Sequence, residues 1–343
     1  MLILTLESTC DETAAAVIDA ERGVLGSVVA SQEALHQKFN GVVPEIAARA
    51  HLERILPVIH ETLKQAQVRL EDLTAIGVAT TPGLAGSLLV GLVAAKTLCW
   101  LLDIPLVAVN HLHAHIYACQ LGREKSIFPC VGFIVSGGHS HLYKCPDAFT
   151  YDYLGGTIDD AAGECFDKVA SMLDLPYPGG PALSRLAEQG NPKAHRFPRP
   201  LLNDSRLAFS FSGLKTAVRY FIAGPGQQTI SSAHLTLTER ADLAASFQAA
   251  VVDCLVGKAV QAIRTADVSR ICVGGGVAAN VTFRNQLEAA CAAEGVECLI
   301  AAPELCTDNA VMGAVAVERL KAGLTESLDL DVCPGLVRNP KLS

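Results

Sequence analysis

The stretch LILTLESTCDETAAAVID, residues 2–19, decides how the rest of the chain is read. Two apolar runs flank a polar tip, which predicts strand, turn, strand, and GSVVASQ at 26–32 offers a third strand. About 130 residues later CVGFIVSGGHSHLYKC, residues 130–145, repeats the pattern and is followed by YDYLGG. The echo predicts two lobes that each open on a β-hairpin with a polar tip. The expected boundary divides residues 1–128 from 129–343, with a last helix at about 307–322 packing back on the first lobe.

The remaining pattern alternates helices with short buried strands. PEIAARAHLERILPVIHETLKQA, residues 44–66, has helical periodicity through Ile46, Leu52, Ile55, Leu56, Ile59 and Leu63. AIGVAT, LVAV, RICVG and CLIAAP are strand-like, and LTERADLAASFQAAVVDCLVGKAVQAIR is a long helix. Such alternation implies an α/β protein with largely parallel sheets and sites at strand C-termini.

Composition agrees. The 343 residues are 50% hydrophobic and 18% charged, with 28 glycines, 16 prolines and a mean hydropathy of +0.33, enough for two cores joined by tight turns. One segment, LAGSLLVGLVAAKTLCWLL at 84–102, approaches the length of a membrane span, but Lys96 interrupts it. It is expected to be a buried core helix, with no membrane association. The twelve cysteines form no C-x-x-C pair, and the first residues lack a basic stretch. Both observations predict reduced thiols in a cytoplasmic protein.

The net charge of −8 argues against broad nucleic-acid affinity. Between Arg185 and Arg219, however, seven Lys or Arg (Arg185, Lys193, Arg196, Arg199, Arg206, Lys215, Arg219) face two acidic residues, Glu188 and Asp204. Either a solvated loop or a phosphate-contacting patch accounts for them.

Three turns are candidates to cradle phosphate: residues 8–13, SGGHS at 136–140 and GGGVAAN at 274–280. None fits a P-loop or a dinucleotide-binding fingerprint. In VNHLHAHIYA, residues 109–118, Asn110 is a plausible helix N-cap. His111 and His115 then share one helix face and His113 points away. The spacing suits two metal ligands as well as it suits ordinary buried histidines, and Asp308 of CTDNA is a candidate third ligand. A zinc peptidase is excluded, because Leu112 stands where the general-base glutamate would be.

At this point nine motifs in unbroken order (ESTCDETAAAV, GVVPEIAARAH, NHLHAH, VSGGHSHL, TIDDAAGECFDK, YPGGPALSRLA, FSFSGLKTA, GGGVAAN and CTDNA) resemble those of the bacterial tRNA N6-adenosine threonylcarbamoyltransferase family, TsaD. The departures are small: EST for ETS, Asn40 for a usual glycine, and Ser140 for threonine.

The resemblance implies an actin-like, sugar-kinase-like ATPase fold with two duplicated lobes around a nucleotide cleft. It implies an acyltransferase that moves a threonylcarbamoyl group from threonylcarbamoyl-adenylate to N6 of the adenosine 3′ of the anticodon, in tRNAs reading A-starting codons. His111, His115 and Asp308 would hold one divalent metal, Fe2+ or Zn2+. Val135, Ser136, Gly137, Gly138, His139, Asp167, Gly180 and Asn280 would contact the adenylate. Asp11 is the expected catalytic group on the attacking amine, against a turn-capping role, and His139 the expected partner of the leaving phosphate. His141 is expected to be structural. TsaB-like and TsaE-like proteins are the implied partners, together with tRNA. An ATPase or small-molecule kinase on the same fold is the competing reading, and a nucleotide-binding scaffold a third.

Overall fold

The computed structural model describes residues 1–39, 41–223 and 232–335, so Asn40 lies outside the described residues. In chain order the elements are β1 (Leu2–Glu7), β2 (Glu12–Asp19), β3 (Gly23–Ser31), α1 (Glu33–His36), α2 (Pro44–Ala66), β4 (Ala75–Thr81), α3 (Ala85–Leu102), β5 (Leu106–Asn110), α4 (His111–Tyr117), β6 (Cys130–Val135), β7 (Ser140–Cys145), β8 (Asp152–Gly156), α5 (Ala162–Met172), α6 (Gly179–Ala187), α7 (Ser212–Ala223), α8 (Leu237–Ala266), β9 (Arg270–Gly274), α9 (Val281–Ala293), β10 (Glu297–Ile300), α10 (Pro303–Cys306) and α11 (Val315–Lys321).

Two compact units result. The first holds Met1–Phe128, Pro146–Tyr151 and Thr307–Ser343, and the second holds Pro129–Cys145 and Asp152–Cys306. Beyond the 128/129 boundary, two later pieces of chain also join the first unit. A six-residue piece at Pro146–Tyr151 belongs to the first unit, and so does everything from Thr307 onward. Helix α11 packs on β5 and β1, and Thr5 Oγ1 donates to the Ala310 carbonyl at 2.7 Å.

The first unit has a five-stranded sheet in the order β3-β2-β1-β4-β5, the second a sheet in the order β10-β9-β6-β7-β8. Counted within each unit, both orders are 3-2-1-4-5. In both, the first three strands are antiparallel, and the fourth and fifth run parallel to the first. Strands β1, β4 and β6 are buried almost end to end, because helices cover both faces of such a sheet and leave no polar side to alternate with.

Helix α3 departs from its expected place in a buried core. Only 33% of its apolar window is buried. Ser87, Leu88, Gly91, Leu92, Ala95 and Cys99 face inward, whereas Val93, Trp100 and Leu101 are exposed, Trp100 at 76%. On α2, which packs against α3, Leu52 and Leu56 are likewise outside, at 69% and 68% exposed. The helix spans the residues its periodicity predicts, with Ile55, Ile59 and Leu63 on its buried side. Helix α3 is apolar around its whole circumference, so its pattern carries no signal of which side packs. Helices α3 and α8 are both long and apolar enough to cross a membrane, and α8 is 72% buried.

Candidate functional site

Strand β5 ends in Asn110, whose side-chain oxygen accepts from the backbone N–H groups of Leu112 (2.9 Å) and His113 (3.2 Å). This cap starts α4 at His111 and sets the rotation of its imidazoles. His111 and His115, one turn apart, meet edge to face with centroids 4.7 Å apart. His113 projects elsewhere and stacks on Tyr151 at 3.7 Å and 7°. Burial, and then Arg319, lowers His113 to about 3, so it is a neutral packing group.

Asp308 sits in the turn between α10 and α11. Its Oδ1 is 3.5 Å from His111 Nε2 and 3.2 Å from His115 Nε2. One donor atom from each of the three residues fits within 4.8 Å. Bonds of about 2.0–2.1 Å to one cation leave neighbouring donors about 3 to 3.5 Å apart, so the spacing fits a shared ion. Two imidazoles and a carboxylate are a donor set for Fe2+ or Zn2+. Burial opposes a charge on His111, but Asp308 and then Glu7 lift it to about 9.

The first hairpin tip lies beside this cluster and is tightly held. Ser8 and Thr9 are buried. Ser8 Oγ donates to the Ser87 carbonyl at 2.9 Å, and His51 of α2 bonds the Cys10 carbonyl through Nε2 (3.0 Å) and Thr13 Oγ1 through Nδ1 (2.8 Å). Asp11 shares this tip with Glu12. Burial, followed by Asp308 and Asp11, pushes the Glu12 carboxyl up to about 10, and burial likewise raises the Cys10 thiol. Residues 8–13 thus gather carboxyl groups beside the cluster.

The second tip is built differently. Val135 ends β6 fully buried. Ser136 N donates to the His139 carbonyl at 2.8 Å and His139 N to Ser136 Oγ at 3.2 Å, closing a tight turn. Gly137 and Gly138 are exposed at its crest, and a Cβ on either would meet nothing within 4 Å. The first amides of α5 are spent on the turn: Gly163 N on the Ser136 carbonyl and Glu164 N on that of Gly137. Gly275, at φ +98, passes so close beneath that a Cβ would come within 2.5 Å of the Val135 carbonyl oxygen. His141 is buried at 2% among Tyr143 and Tyr153.

Three further expected ligand contacts have roles inside the second unit. Asp167 Oδ1 accepts from Gly179 N (2.8 Å) and Gly180 N (3.2 Å), tying α5 to the first turn of α6. Asn280 caps α9 by accepting from Phe283 N at 2.9 Å, and its Nδ2 donates to Ser184 Oγ and Gln248 Oε1. Its oxygen, which accepts one bond here, keeps a second lone pair.

The basic segment is partly self-neutralised. Arg199 pairs with Asp253, Arg206 with Asp204 and Lys215 with Asp160. Arg185, Lys193 and Arg196 are exposed and in no ion pair among the described residues. The residues that motif reading passed over are Glu7 and Glu12. For Glu7 the available signal was an acidic residue closing the largely apolar strand β1, where burial demands a partner.

Comparison with known proteins adds the last observation. Residues 23–315 match the family described as TsaD, tRNA N6-adenosine threonylcarbamoyltransferase. A protein of that name from Rhodopirellula baltica is 59% identical over 98% of this chain and 97% of its own length. One from Geobacter sp. strain M21 is 48% identical over 97% and 96%. Among solved structures, T. kodakarensis HypF has a TM-score of 0.59 at 16% identity, covering 94% of this chain and 48% of that one. Component A of the Acidaminococcus fermentans (R)-2-hydroxyglutaryl-CoA dehydratase has a TM-score of 0.53 at 15% identity, covering 94% and 98%. These structural likenesses establish the fold alone, the actin-like, sugar-kinase-like ATPase fold.

Proposed function

We propose, from the premise that this chain belongs to the tRNA N6-adenosine threonylcarbamoyltransferase family, that it transfers threonylcarbamoyl from threonylcarbamoyl-adenylate to tRNA. The acceptor is N6 of the adenosine 3′ of the anticodon in tRNAs reading A-starting codons. The observation that carries the reading is the full-length identity to proteins of that name. The convergence of His111, His115 and Asp308 supports it, since an ATPase or small-molecule kinase has no use for two histidines there.

In the reaction the adenine amine attacks the carbamoyl carbonyl carbon. A C–N bond forms, the C–O bond to the phosphate breaks, and AMP departs with the electron pair. Asp11 orients the amine and accepts its proton. His139, at the second tip, steadies the phosphate that leaves. The open crest at Gly137 and Gly138, flanked by Val135, Ser136 and His139, lets the adenylate approach the backbone without side-chain obstruction, while Asp167, Gly180 and Asn280 contact the adenylate from the neighbouring helix starts. His111, His115 and Asp308 would hold a divalent ion, Fe2+ foremost and Zn2+ as the other fit, which when bound would supply Lewis acidity toward the carbamoyl carbonyl or the adjoining phosphate.

For tRNA, the exposed Arg185, Lys193 and Arg196 are the phosphate-contacting part of the basic segment. With a net charge of −8, binding calls for companions. On the packed helices α2 and α3, Leu52, Leu56, Val93, Trp100 and Leu101 are each exposed, apolar groups of the kind found at protein interfaces, and we assign them to a TsaB-like partner. A TsaE-like protein completes the set, and the assembly works in the cytoplasm. The test is incubation with threonylcarbamoyl-adenylate, unmodified tRNA and these partners, followed by nucleoside analysis. Threonylcarbamoyladenosine is the expected product. Absence of that nucleoside while ATP is consumed would return the reading to an ATPase.

A further inference from the structure

Glu7 is a buried carboxylate that the transfer chemistry leaves without a task. It is 3% exposed at the end of β1. Oε1 accepts from Thr9 N at 2.7 Å, and Oε2 lies 3.0 Å from His111 Nδ1. Thr9 Oγ1 is also within reach of that nitrogen, at 3.3 Å. An ionised carboxylate can only accept. His111 Nδ1 therefore carries the proton, and in the neutral ring Nε2 presents its lone pair toward Asp308 and His115.

The two histidines differ in this respect. His115 is fully buried, and its Nδ1 has no hydrogen-bond partner among the described residues. The carboxylate support of a metal-bound imidazole, which orients the ring and raises its donor strength, is thus present on His111 alone. Glu7 also adds a second negative charge beside Asp308, so that one divalent ion with two neutral imidazoles makes an electrically balanced group. An uncharged residue at position 7 would leave that group one charge positive in a buried place, where charge is costly.

We infer that Glu7 is the positioning residue of the metal site: through its hydrogen bond to Nδ1 it fixes the orientation of His111 and keeps the proton on Nδ1 once an ion takes the place of the proton on Nε2, making His111 the rigid arm and His115 the adjustable one. The inference rests on the metal reading under Proposed function.

The experiment titrates the full chain with Co2+, followed by its visible absorption, in competition with a chelator of known affinity. Wild type, Glu7→Gln, Glu7→Asp and Thr9→Val are compared. Glu7→Gln should bind Co2+ about 10- to 100-fold more weakly with an altered absorption band. Glu7→Asp should recover part of that loss, and Thr9→Val, which keeps the Thr9 N–H bond and the carboxylate, should stay near wild type. Equal affinity of wild type and Glu7→Gln would overturn this inference alone. No Co2+ uptake by wild type would overturn the metal reading and this one with it. Should Glu7→Gln fail to fold, nitrogen NMR of histidine-labelled wild type loaded with Zn2+ decides. A protonated Nδ1 on His111 with the ion on Nε2 is expected, and an ion on Nδ1 would sink the idea.

Discussion

The two hairpin tips occupy the same place in sheets of the same strand order, yet they are chemical opposites. The first is closed: Ser8 and Thr9 are buried, His51 holds its backbone, Glu7 sets a carboxyl group against His111, and Asp11 and Glu12 add two more to the tip. The second is open. Its crest is Gly137 and Gly138, and what holds it lies beneath, in the first amides of α5 and in Gly275. Apolar runs decide which strands pair, and the few residues between them decide what the end of the sheet can bind. A duplicated fold is in this way divided between an ionic site and a site for close backbone approach.

The sharpest way to break the comparison is at Asp11. Asp11→Ala with adenylate binding retained should cost about 10²- to 10⁴-fold in transfer, measured as modified nucleoside formed per unit time. Near-normal turnover would reduce Asp11 to a turn residue. His115→Ala should abolish uptake of one divalent ion per chain and slow transfer by about 10²- to 10³-fold. His113→Ala, two residues away, should keep the ion and lose only the Tyr151 stack, about 1 kcal/mol of stability in a denaturant titration.

At the second tip two glycines should separate structure from ligand approach. A Cβ on Gly163 would lie 2.6 Å from the Ser136 carbonyl oxygen, so Gly163→Ala should destabilise by about 1–3 kcal/mol. A Cβ on Gly138 meets open space. Gly138→Ala should therefore keep its melting temperature and bind the adenylate about tenfold more weakly, a change of about 1.4 kcal/mol. If Gly138→Ala binds as wild type does, the open crest is not where the ligand comes close.

The smallest effects belong to the basic segment. Arg196→Glu should weaken tRNA binding and lower the salt slope by about 1. Arg199→Glu, whose guanidinium is already held by Asp253 at 3.0 Å, should change it less. Equal effects would mean that the pairing with Asp253 gives way to RNA.

Much of this was legible in the chain itself. The strand, tip, strand echo, the Asn110 cap and the shared face of His111 and His115 all follow from periods of two and of 3.6 residues, which act between neighbours a few positions apart. The motif order named the family, and CTDNA supplied Asp308 as a candidate. What local pattern could not supply was position across the molecule. Leu52 and Leu56 fit a helical period yet face outward, and α3, apolar all round, carries no mark of its packed side. Nor does any short-range rule bring Glu7 to His111, 104 residues later, or the chain from Thr307 onward back to the first unit.

By itself, then, the sequence determined the two repeated sheets, the helix face that carries the histidines and the family. Only the tertiary structure decided that Glu7 supports one histidine and not the other, that Asn280 spends its amide inside the protein, and that half of an apolar helix is left uncovered. The reason is physical: hydrogen bonds within a turn or a hairpin depend on neighbours along the chain, whereas a buried carboxylate finds its partner only once the sheets and helices have packed.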